Sequence, residues 1–298
     1  MTPEISEFSY GFALTNELVG WTALRAAPIF PSLIEEGKAD GGYDVKLDRP
    51  GAPLFLQFKR ADCLTRSSAR EISKLSLDLS PPFFRFAITE RNRSFQHTSL
   101  VTLDDGSNLV FYVAPRFHTL AEINDAWTAQ NVVERSIFVD PKQIGLIADD
   151  EKHHVSYDAK YAFFCSEPQP LKPISASELC QRLETKLDED TRPVRNQMVE
   201  WLENVGSAAA RAREEHKALE ARIQERKQTD TGGELVSVRQ VEAMQEPSRA
   251  EQVLPPPTVE IKPGRPLNQE ERMLRAISDQ ALHLFSAQLY VVQRQDAS

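Results

Sequence analysis

The sequence predicts a mixed α/β protein, with α+β as the neighbouring class, in which a central sheet is flanked by helices and followed by a helical C-terminal extension. Three observations carry that expectation. Short β-rich runs alternate with helix-spaced segments through the first 170 residues, the pattern of strands covered by helices. Nearly all the phenylalanines fall in the same stretch. From about 175 to 228 the text turns to Leu, Glu, Arg and Ala, all helix formers.

Taken in order, Glu7 to Ala27 carries Phe8, Phe12, Leu14, Leu18, Trp21 and Leu24 at spacings of three and four, predicting a helix. Thr15 or Asn16 is its expected N-cap, with Glu17 in the first turn where the helix dipole favours an acid. Pro28 and Pro31 stop it. Gly41 to Leu47 reads as a strand entered through a glycine turn, Asp48-Arg49-Pro50-Gly51 as a turn, and Pro53 to Lys59 as a second strand, so the two form a predicted hairpin. On the second strand Phe55, Gln57 and Lys59 share one face, and Leu54, Leu56 and Phe58 the other. Ser67 to Leu79 reads as a helix and Phe83 to Thr89 as a strand. Gln96 to Leu103 is a short helix or an extended segment. A strand at Leu109 to Ala114, a helix at Leu120 to Asn131, and short strands at Ser136 to Val139 and His154 to Tyr157 complete the region.

The expected organisation is an α/β domain over 1–172, a helical region over 173–228, a Pro-rich linker over 229–266 and a terminal helix over 267–298. In the helical region Met198, Leu202, Val205, Ala209, Ala212, His216, Leu219 and Ile223 follow a 4-3-4-3 rhythm, a seam for self-association, a partner, or the chain's own domain. The helix read over 270–293, on a tether of roughly 35 residues, either folds back on this one or engages a partner or a second copy.

Composition narrows the function classes. Of 298 residues 41% are hydrophobic and 27% charged, with a formal charge of −9. A whole-molecule basic footprint for nucleic acid is therefore absent, and contact must come from a local patch. Between 55 and 100, eight basic residues stand against four acidic ones, and Arg66, Arg70 and Lys74 recur at four-residue spacing on the predicted helix. Such a stripe suits a phosphate backbone, or simply a solvated face. The first residues lack a secretory pattern, no run reaches membrane-spanning length, and three scattered cysteines suit a reducing cytoplasm. His153 and His154 follow Asp149-Asp150-Glu151, but neighbours on a strand face opposite ways, so the pair does not read as one metal site.

The chemically informative constellation is Asp44 on one predicted strand and Gln57-x-Lys59 on the next. A carboxylate and an amide oxygen beside a lysine suit a hard divalent cation and a phosphodiester. This stretch resembles the PD-(D/E)XK, or restriction-endonuclease-like, nuclease superfamily over roughly residues 10 to 115. The matching residues are Glu17, Asp44, Gln57 and Lys59, with Gln57 standing where an acid is commoner, and Gln96 where some relatives carry a glutamine near DNA or the active site. The resemblance implies a Mg²⁺- or Mn²⁺-dependent nuclease acting on DNA, with RNA left open. Asp44, Gln57 and Glu17 would hold the metal and Lys59 would activate water. Arg60, Arg66, Arg70, Lys74 and Gln96 would contact nucleic acid. The plan of nuclease head and tethered helical tail looks like effectors of bacterial anti-phage defence. The competing reading keeps the same fold as an inactive scaffold or DNA-binding adaptor.

Overall fold

The computed structural model describes residues 1–21, 24–29, 45–104, 106, 108–166, 168–230 and 268–295. Its elements are α1 (Glu7–Val19), β1 (Leu24–Pro28), β2 (Ala52–Phe58), β3 (Asp62–Leu64), α2 (Arg70–Ser73), β4 (Phe83–Ile88), α3 (Gln96–Leu103), β5 (Leu109–Pro115), α4 (Leu120–Thr128) and β6 (Ser136–Val139). They continue with β7 (His153–Tyr157), β8 (Ala162–Phe164), β9 (Gln169–Leu171), α5 (Ala176–Glu189), α6 (Val194–Asp230), α7 (Gln269–Phe285) and β10 (Gln288–Arg294). The class is mixed α/β, as the sequence predicts. Two five-stranded sheets form, one ordered β1-β10-β2-β5-β6 and the other β3-β4-β7-β8-β9. The first is mixed, because β2 and β5 run parallel; in the second every pairing is antiparallel.

Strand β2 is central and buried on both faces. Phe55 joins a core built from both sheets with α3, α6 and α7. Leu54, Leu56 and Phe58 pack into a second core with α1, α4 and α5. The predicted alternation on β2 is therefore present.

The expected hairpin is not. Asp44 and most of the Gly41–Leu47 segment lie outside the described residues. The part that is described, from Val45 to Arg49, is loop and turn rather than strand. Its backbone is held by Gln293, whose Nε2 donates to the carbonyls of Lys46 and Pro50 at 3.0 Å each. This loop meets the start of β2, the end opposite Lys59. The antiparallel neighbour of β2 is instead β10, registered Gln288 on Leu56 through Val292 on Ala52. The terminal helix predicted over 270–293 thus ends at Phe285. Ser286 takes a left-handed φ of 50°, and the chain turns into a strand whose Leu289–Val292 are fully buried.

Two further elements depart from the sequence reading. The first helix stops at Gly20, and its N-cap is Ser6, whose Oγ accepts from Ser9 N at 2.9 Å. Leu24 to Ala27 leave that helix for β1, because β10 offers them a pairing edge far away in sequence. The helix expected over Ser67–Leu79 is the single turn α2. Ser76 has a φ of 52°, which ends helical progression, and Leu77 and Leu79 turn inward against Phe83. Of the roles the sequence leaves open for the heptad seam of α6, the structure shows packing on its own molecule. Met198, Val205, Ala209, Ala212 and Leu219 are buried, and α6 packs against both α3 and α7, with Thr102 Oγ1 donating to Ala208 O at 3.2 Å. The linker read over 229–266 lies outside the described residues, save its first two, which end α6. Among the described residues no helix is long and apolar enough to cross a membrane.

Candidate functional site

Lys59 follows β2 by one residue and extends its ladder, donating its N–H to Val113 O at 2.9 Å. Strand alternation turns its side chain to the face of Phe55 and Gln57, under the N-terminus of α3. Gln96, the first residue of α3, meets it there. Lys59 Nζ donates to Gln96 Oε1 at 3.1 Å, and Gln96 Nε2 donates to Gln57 Oε1 at 3.3 Å. Gln57 in turn donates to the Phe58 carbonyl at 3.1 Å. Gln57, Lys59 and Gln96, singled out from sequence, are therefore one connected group.

Beneath it, Lys59 Nζ sits 5.3 Å over the Tyr112 ring, a cation–π contact. Tyr112 is the register partner of Gln57 on β5. Its hydroxyl lies 2.8 Å from His97 Nδ1, and His97 Nε2 is 2.7 Å from Gly145 O. A carbonyl only accepts, so the His97 proton rests on Nε2 and Tyr112 donates to Nδ1.

Burial pulls the Lys59 ammonium below the usual lysine range, with the Glu7 carboxylate acting in the opposite sense. Lys59 is only 7% exposed. A lysine desolvated in this way gives up its proton more readily than one in water.

The acid on α1 near this group is Glu7, not Glu17. Glu7 accepts from Arg60 N at 3.3 Å and lines, with Gln57 and Phe58, a cavity of about 470 Å³ between α1 and the end of α7. Glu17 lies ten residues along and is spent elsewhere, its Oε2 accepting from Val132 N at 2.6 Å and Val133 N at 3.3 Å. The metal role expected of Glu17 is thus corrected: it caps a turn. The sequence held a pointer to Glu7, since Ser6 followed by an acid is a helix-start signal. Replacing Glu17 with Ala should cost about 1–3 kcal/mol, because two N–H groups lose their acceptor. Urea denaturation would show this, and any DNA cleavage by the protein should be unchanged.

The basic residues divide. Arg60 is exposed beside Glu7. Arg66, Arg70 and Lys74 are exposed as well, but they share no helix, because Arg66 precedes α2 and Lys74 follows it. Arg70 opens onto a different cavity, on the second sheet.

For a divalent cation, the described donors here are Glu7, Gln57 Oε1 and the Phe58 carbonyl, all hard oxygens of the kind Mg²⁺ takes. Among the described residues no group of three or more His, Cys, Asp or Glu stands together to hold a metal. Donor chemistry fits, and water would complete the set; Asp44 lies outside the described residues, and the loop that follows it from Val45 meets the opposite end of β2.

The fold and this cluster define a mixed α/β protein with a lysine–diglutamine group, Lys59 and Gln57 buried and Gln96 half-buried, at the end of a central strand. No family model, curated protein or solved structure matches the chain.

Proposed function

We propose that the protein is a metal-dependent nuclease of the PD-(D/E)XK type, acting on phosphodiester bonds of DNA. The observation that carries this reading is the hydrogen-bonded run Lys59–Gln96–Gln57 on one face of β2, with β5 parallel beside it and α3 between β2 and β5 in the chain. Lys59 orients and deprotonates the attacking water, its ammonium already weakened by burial. Gln96 fixes the direction of both neighbours and faces the nucleic acid. Gln57 and Glu7 would hold Mg²⁺ or Mn²⁺, with water completing the set. When bound, such an ion lowers the pKa of water and offsets charge on the phosphate. As an effector of anti-phage defence, the protein would protect cells only with this group intact.

The test is plasmid cleavage by the full chain in Mg²⁺ or Mn²⁺ against EDTA. Lys59→Met should reduce the rate by on the order of a hundredfold or more, the usual yield of a positioned acid–base group. Equal cutting by the two proteins would overturn the assignment. One observation favours a second reading, a non-cutting adaptor of the same fold: the Gln57 amide oxygen already accepts from Gln96. In that case the wild type retains DNA without cutting it.

A further inference from the structure

Away from Lys59, three side chains near one end of β7 make a run of two short hydrogen bonds. Asp149 Oδ1 lies 2.6 Å from His153 Nε2, and His153 Nδ1 lies 2.6 Å from Ser166 Oγ. An ionised carboxylate only accepts, so the proton of a neutral His153 rests on Nε2. Its Nδ1 lone pair is then left to receive the Ser166 O–H. The order is nucleophile, base and orienting acid, within the distances such an array needs. The ring is fixed in place: His153 is 5% exposed and stacks on Phe164, with centroids 5.3 Å apart and 14° between planes. Partial burial pulls the Asp149 carboxyl up, but the bonds from His153 and from Glu151 N outweigh it and hold the group below its ordinary value.

Ser166, in the turn after β8, is exposed and opens onto a cavity of about 690 Å³. A serine held only as a turn brace would not need such a space in front of it. Asn92, Arg93 and Lys152 also line the cavity and bring N–H donors to it. Apart from Leu75 and Cys165 its lining residues are polar or charged, of both signs, which suits a short, polar substrate.

We propose that Ser166, His153 and Asp149 form a second catalytic centre, a serine esterase site for short, polar carboxylic esters. Ser166 Oγ bonds to the ester carbonyl carbon as its proton passes to His153 Nδ1, and the carbonyl π pair moves onto oxygen. The cavity's N–H donors receive that oxyanion. When the pair returns, the bond to the alkoxy group breaks, and the departing alcohol takes the proton from Nδ1. Water repeats the sequence on the acyl-Ser166 ester, releasing the acid and restoring the serine. Nothing is oxidised or reduced.

The test treats the full chain with a fluorophosphonate probe, maps the adduct by mass spectrometry, and follows p-nitrophenyl acetate hydrolysis. The expected result is an adduct on Ser166 and its loss in Ser166→Ala. Asp149→Asn should slow ester hydrolysis by on the order of a hundredfold or more, since an amide no longer enforces the required tautomer. Ser166→Ala removes one hydrogen bond to His153 and should lower the melting temperature only modestly, leaving the cooperative transition and any Mg²⁺-dependent DNA cleavage in place. Absence of an adduct on wild-type Ser166, or hydrolysis equal in wild type and both variants, would overturn the proposal.

Discussion

A chain ending at Ser286 should show no cooperative unfolding transition. The deleted segment contains β10, which is not an edge but the second strand of the first sheet, paired with β1 on one side and β2 on the other. Leu289, Tyr290, Val291 and Val292 are fully buried, and they serve both cores, Leu289 and Val291 in one and Tyr290 and Val292 in the other. At about 1.5–3 kcal/mol for each buried side chain, their removal costs about 6–12 kcal/mol. That is comparable to the whole net stability of an ordinary protein. Lost ladder bonds and the Thr15–Tyr290 hydroxyl contact of 2.5 Å add to it. Circular dichroism during a thermal scan checks the expectation; a sharp transition near that of the full chain would contradict it. Deleting only the last three residues, 296–298, should leave the transition in place, since β10 ends at Arg294.

The same strand shows why sequence reading succeeded in some places and failed in others. Local patterns found β2, β4, β5, β6 and most of β7, whose buried runs are short and bounded by turns. Those patterns hold no information about partners. The segment Leu289–Tyr290 reads equally well as the end of an apolar helix or as a strand, and the decision comes from β1 and β2, more than 230 residues away. Leu24–Ala27 reads as the end of the preceding helix for the same reason. At the site, alternation on β2 sufficed to put Gln57 and Lys59 on one face, and the resemblance pointed to Gln96. Which acid on α1 would approach them depended on where that helix begins. A start placed at Thr15 gave Glu17, whereas capping by Ser6 gives Glu7. The α6 seam was legible as a seam, but only the packing shows that α3 and α7 fill it.

His97 should make the protein lose stability on mild acidification, over a window set by its own titration. Burial lowers its pKa from the usual 6.5 to about 4; the bond to the Gly145 carbonyl works against this, and nearby Lys59 adds to it. Between those two pH values the unfolded chain binds a proton that the folded chain refuses. Acidification from about 6.5 to about 4 therefore favours unfolding, while above and below that range the contribution is flat. At 1.36 kcal/mol for each pH unit, the whole window amounts to about 3 kcal/mol. The cause lies beside the Lys59 group. Protonated His97 could no longer accept from the Tyr112 hydroxyl, and it would put a second buried cation near an ammonium already poor in solvent. Urea unfolding of wild type and His97→Gln at intervals from pH 7.5 to 4 separates this residue from the carboxylates, which titrate alike in both. The variant should begin less stable, having lost two buried hydrogen bonds, and the gap should close by about 3 kcal/mol as the pH falls. A gap constant with pH would mean that the folded protein accommodates the imidazolium, and that the face of β2 beneath Lys59 is wetter than its packing implies.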